Sequence, residues 1–262
     1  MFPYYCKRIF TSLIFWICVV VLWILMIACE ARDIFCFAGD LSMLYCLTWM
    51  MENIVLMLIH TIAAVPFLYI LSEELEMKSV YYQMVRSSKK SYYLGRAAAA
   101  FLSAAAVAFL ALVLFTAVAI FCGVGDGVWK TTESLMGMFR GMYFEEQLQK
   151  SELPVYLVHG AAVVTYAAPW VLWGLLVSAF SKNRYIIFAA PYIAYMTMNY
   201  VTQVVDVMWL SPGTTILHRS GAAMAEFGGG IFYNLRFNLS LALVLTIVYC
   251  IVSERRFRHE GI

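Results

Sequence analysis

Residues Ala97–Cys122 form a run of 26 positions without one charged side chain. As an α-helix, at about 1.5 Å per residue, this run spans roughly 39 Å, longer than the ~30 Å hydrocarbon core of a bilayer. Five further predominantly apolar runs have spanning length, at Ile9–Ala28, Ile54–Leu71, Val155–Phe180, Tyr185–Leu210 and about Ile231–Val252. Hydrophobic residues make up 63% of the 262 positions, against roughly 45–50% in globular chains. Backbone polar groups in lipid must be satisfied within the segment, which leaves helices as the natural spanning element. The expectation is an all-α polytopic membrane protein, one domain over residues 1–262, with six transmembrane helices.

The first run needs separating from a secretory signal. Lys7 and Arg8 precede it, and Met26-Ile27-Ala28-Cys29 loosely resembles a lipoprotein cleavage site. Its 20 residues exceed the apolar length of about 7–15 in a signal peptide. We therefore read it as the first retained helix. The second helix either starts at Ile54 or extends outward through Leu41–Met51, where Asp40 and Ser42 are candidate caps. Thr131–Lys150 carries enough periodicity for a short surface helix, and Pro212-Gly213 and Gly228–Gly230 break the chain before the last span.

Basic residues set the orientation. With the amino terminus inside, twelve of the eighteen lysines and arginines fall in the cytoplasmic pieces and six outside. Both termini are then cytoplasmic, and the location is a cell membrane crossed several times. Within the third span, Ala100, Ala104, Ala108 and Ala111 recur with Ser103 at helical spacing. Small residues in this pattern let two helices approach closely, either inside one chain or across a dimer. Pro66, Pro169 and Pro191 each remove a hydrogen bond inside a span, as gating kinks or as tolerated ones.

Reactive chemistry is sparse. The seven cysteines show no CxxC pair and no histidine at metal spacing, so no metal is expected. Cys29 and Cys36 either pair in an outer loop or remain free thiols. No Gly-Lys dipeptide occurs, so GxxxxGK[ST] cannot be met and this chain is not expected to hold ATP itself. Glu73-Glu74-Leu75-Glu76-Met77-Lys78 approaches the EExxxR pattern of intramembrane CAAX-type proteases. The histidine motifs those enzymes also need are missing around His60, His159 and His218, so no catalytic residue is assigned. Asn238-Leu239-Ser240 matches a glycosylation sequon but lies inside a span.

Two sets of residues remain as candidates. Glu73–Arg96 is the longest charge-rich stretch between two apolar segments, in a chain with only 13% charged residues, and it must meet water or a soluble partner. Glu73, Glu76 and Val80 share one helical face, and Lys78 and Tyr82 lie on another. Such a segment suits lipid headgroups or a groove in another protein. The second set recurs at three or four in the fifth span: Tyr192, Met196, Asn199, Gln203 and Asp206, with His60 from the second span beside them as a candidate. Intramembrane polar residues cost free energy unless they face protein or water, so these are the candidate translocation path.

The layout Glu73-Glu74, Tyr81-Tyr82, Arg86-Ser87-Ser88-Lys89-Lys90, then Tyr92-Tyr93-Leu94-Gly95-Arg96 entering an alanine-rich span, resembles the first intracellular loop of type-2 ATP-binding-cassette (ABC-2) transporter permeases. Six spans, inside termini and the missing nucleotide motif match that family along the whole chain. Two departures stand out: the family's glycine after the acidic residues is absent, with Ser79 nearby, and no proline follows Arg86. The resemblance implies the permease subunit of an exporter, paired with a second permease subunit and with separate ABC-type ATPase subunits that carry ATP and magnesium. It places the coupling segment at Glu73, Glu74, Lys78, Tyr82, Arg86, Ser88, Lys89, Lys90, Tyr93 and Arg96. No nucleic-acid partner is implied. The alternative is a non-transporting membrane assembly or sensor subunit.

Overall fold

The computed structural model describes residues 2–37, 42–52, 54–77, 89–124, 150–206 and 232–259. Among them the regular structure is helical, with no strand. The helices are α1 (Phe2–Phe10), α2 (Leu13–Phe37), α3 (Met43–Glu52), α4 (Ile54–Glu76), α5 (Lys89–Phe121), α6 (Glu152–Ser178), α7 (Arg184–Val204) and α8 (Tyr233–His259). The segment expected as a surface helix, Thr131–Lys150, lies outside the described residues except for Lys150.

Local chemistry explains the boundaries. The first apolar run is split, because Ile9 and Phe10 belong to α1 rather than to the first span. The Thr11 hydroxyl donates to the Lys7 carbonyl at 2.8 Å and the Trp16 indole N–H donates to the Phe10 carbonyl at 3.2 Å, which satisfies acceptors that the end of α1 leaves open. The Leu41–Met51 stretch forms its own helix, α3, with Ser42 Oγ accepting from the Tyr45 N–H at 3.0 Å as an N-cap. Ser151 and Asn183 cap α6 and α7 in the same way. Beyond α5, Gly123 adopts a φ of +90°, a left-handed conformation that glycine enters without steric cost.

Among the described residues five helices are long and apolar enough to cross a membrane: Leu13–Cys36, Val55–Glu76, Ser91–Phe121, Glu152–Ser178 and Tyr233–Arg256. At their centre stands α6, which packs against α3, α4, α5, α7 and α8. In its most apolar stretch 72% of residues are buried, against 22% in α8, so α8 leaves most of its surface uncovered by the other described helices. A Cβ on Gly174 of α6 would sit 2.9 Å from the Leu68 methyls of α4 and 3.3 Å from the Ile187 carbonyl of α7. Only glycine lets these three helices meet there. Helical structure runs unbroken through Pro66, Pro169 and Pro191. The alanine stripe of α5 is spent inside the chain, since Ala100, Ala104, Ala108 and Ala111 are fully buried.

The sixth expected span, α7, has 21 residues, enough for about 31 Å. It is less apolar than the other five, with Arg184, Thr197, Asn199, Thr202, Gln203 and four tyrosines. Its course follows from its neighbours. It starts beside the end of α4, where Arg184 lies 3.9 Å from Glu76. Further along the chain, α8 ends beside the start of α5, with Tyr249 6.1 Å from Tyr93, ring to ring. From that end α7 packs against α4 and α6, and α1 and the end of α8 lie at the same end as Glu74 and Arg96.

Candidate functional site

Glu73 and Glu74 fall in the last turn and a half of α4, and Arg96 in the third turn of α5. Antiparallel packing brings these turns together, and α1 lies across them. Arg96 Nη2 contacts Glu74 Oε2 at 2.5 Å, while Arg96 Nε donates to the Tyr5 hydroxyl at 2.9 Å. The Tyr5 hydroxyl in turn donates to Glu74 Oε2 at 3.0 Å. Arg8 spans both carboxylates, reaching Glu74 Oε1 at 3.2 Å and Glu73 Oε2 at 2.7 Å. The Arg96 guanidinium also lies over the Tyr92 ring, 4.7 Å from its centroid. Burial pushes the Tyr5 phenol well above its usual range, with Arg96 opposing the shift, so the hydroxyl keeps the proton it donates.

This geometry corrects the exposure expected of the charged stretch. Glu74 and Arg96 are 1% and 4% exposed, and Tyr93 is buried with them. The reason is twofold: α4 and α5 continue as helices well past their apolar residues, and the opposite charges satisfy one another, which makes burial tolerable. Glu73 stays at the rim on Arg8, with its side chain 32% exposed, and Lys89 is exposed. Lys78, Tyr82, Arg86 and Ser88 lie outside the described residues, as does the side chain of Lys90. Tyr5 and Arg8 were missed from the sequence. The signal was present, since Tyr5 and Ile9 are one turn apart and form the buried face of α1, but it was hidden by reading Ile9 as the start of a span.

The path residues separate into two groups. His60 is fully buried and stacks on Tyr195, with ring centroids 4.4 Å apart. Tyr192 and Trp170 lie 6.2 and 5.8 Å from the same imidazole. Tyr195, one turn from Tyr192, is the partner that sequence reasoning left out. Asn199 is half-buried further along α7, whereas Gln203 and Asp206 are exposed at and beyond its end. Asp206 has a φ of +56° and marks the turn out of the helix rather than a position inside a span. The structure thus joins His60 to Tyr192 and leaves the other three apart.

A separate cavity of about 600 Å³ opens between α5 and α6, walled by Leu112, Val113, Thr116, Tyr156, Gly160 and Val164. Its polar atoms are spent on each other, Thr116 and Tyr156 sharing a hydrogen bond of 2.6 Å. Among the described residues no three His, Cys, Asp or Glu side chains group as metal ligands, and all seven cysteines are free thiols. The sequon residue Asn238 is buried and donates to the Ala162 carbonyl at 3.0 Å. No family model matches the chain, and neither a curated protein nor a solved structure matches it.

Proposed function

We propose that this chain is the membrane-spanning permease subunit of an ATP-driven exporter. It works as a dimer, with a second copy or a sibling, and seats separate ABC-type ATPase subunits on the 73–96 segment. The observation that carries this reading is the joint of Glu74, Arg96, Tyr5 and Arg8. It ties the helices before and after the segment to each other and to α1 through buried and part-buried charge-assisted bonds. A push delivered to the segment would move α1, α4 and α5 as one body instead of being absorbed by frayed helix ends. In this reading Arg86, Lys89 and Lys90 meet the motor, and Glu74 and Arg96 transmit its movement. The His60–Tyr192 contact between α4 and α7 places one candidate path residue from each helix side by side.

Co-purification tests the assignment. The wild-type chain should recover a separate protein with ATPase activity, and reversing charge with Arg86→Glu and Lys89→Glu should lower recovery about tenfold without loss of membrane insertion. Full recovery with both substitutions would remove the docking role. Failure of the wild-type chain to recover any ATPase would favour a non-transporting assembly or sensor subunit. Glu74→Lys does not serve this test, because it breaks the buried joint itself.

A further inference from the structure

We infer that Glu30 of α2 is a proton-binding site at the end of the bundle opposite the Glu74–Arg96 joint. The described residues include three buried glutamates, Glu30, Glu74 and Glu152. Glu74 takes bonds from Tyr5, Arg8 and Arg96. Glu152, in the first turn of α6, accepts the Leu44 N–H at 2.5 Å and so closes the amino end of α3, where the helix dipole favours an anion. Glu30 is 1% exposed, and among the described residues neither of its carboxyl oxygens has a hydrogen-bond partner.

Among the described residues, the surroundings of Glu30 hold no counter-charge for an anion. Asp33 lies one turn further along α2, and Cys29 is its neighbour in the chain. From α3 comes the buried Cys46, whose thiol is pushed up to about 12 by burial first, and then by the nearby carboxyls of Glu30, Asp33 and Glu152. α5 packs on α2 and carries no ionisable side chain from Ala97 to Phe121, and α4 contributes its apolar start near Val55. Arg32 is exposed, two positions away and therefore on another face of the helix.

An ionised carboxylate withdrawn from water with no counter-charge is among the most expensive groups a fold can hold, whereas the neutral acid is tolerated. The bound ligand is therefore a proton. Six residues, about 9 Å, separate Glu30 from the end of its apolar helix at Cys36, so water at that end is within reach of a small opening. Loss of the proton leaves a bare anion against Cys46 and Asp33, and the contact of α2 with α3 must then open to solvate it. The site makes this end of the molecule responsive to protons whether or not the chain is an exporter.

Dicyclohexylcarbodiimide, an apolar reagent that adds to protonated carboxyls, tests the site on the purified full-length chain in micelles. Peptide mass spectrometry should find the N-acylurea on Glu30 in mildly acidic buffer. Labelling should fall about tenfold for each pH unit once the proton is being lost. The Glu30→Gln variant should lose this adduct and keep its elution profile. The wild-type pH series stands without the variant, should the variant fail to fold. An unmodified Glu30 peptide at every pH, or labelling that does not change between about pH 5 and pH 9, would overturn the site.

Discussion

The two ends of the bundle handle a buried glutamate in opposite ways. Glu74 and Glu30 are equally withdrawn from solvent, at 1% exposure each. Glu74 sits among two arginines and a tyrosine, while Glu30 faces thiols, apolar helix and a second carboxylate. Burial therefore says little about a carboxyl's role until its partners are named. With partners it is a joint whose strength depends on charge, and without them it is a site whose charge is the variable. The same substitution, glutamate to glutamine, should then be costly at one end and harmless at the other.

The largest effect is expected from Arg96→Met. It takes from the buried Glu74 its contact with the Arg96 guanidinium and should cost about 3–5 kcal/mol, read from unfolding of the purified chain in micelles. Adding Glu74→Leu in the same chain should recover part of that loss, since the stranded charge is gone. A double variant no better than Arg96→Met alone would show that the pair is not the source of the cost. Next comes Tyr5→Phe, which removes a hydroxyl bonded to both charges and should cost about 1–2 kcal/mol. Arg8→Ala should cost less than about 1 kcal/mol, because the Arg8 side chain is 30% exposed and its pairs are screened by water. The smallest effect belongs to Glu30→Gln, with stability unchanged or slightly raised. A loss above about 1 kcal/mol would mean that Glu30 has a partner, and the contrast between the ends would fail.

The spans were legible because hydropathy is a local property of the chain. Ile54–Leu71 and Val155–Phe180 lie within a few residues of α4 and α6, and Ser42 caps α3 as its residue type suggested. Helix ends were less legible, because a helix does not stop where its apolar residues stop. The second span continues through Glu76 and the third begins at Lys89, so much of the stretch read as a loop is helix. The least apolar of the expected spans, α7, was read too long at its far end, since Asp206 turns the chain out of the helix.

From its residues alone this chain is determined to be helical and built from several apolar segments of membrane length. Those traits need only runs of residues and their backbone hydrogen bonds. Which charges water keeps was decided by tertiary packing. Glu74 meets Arg96 across 22 positions and Tyr5 across 69, through helices that pack antiparallel and a short helix laid over them. Glu30 meets no such partner among the described residues, although Arg32 stands two positions away in the chain. A buried charge is stable only with a partner in space, and no local pattern in the chain records where that partner will be.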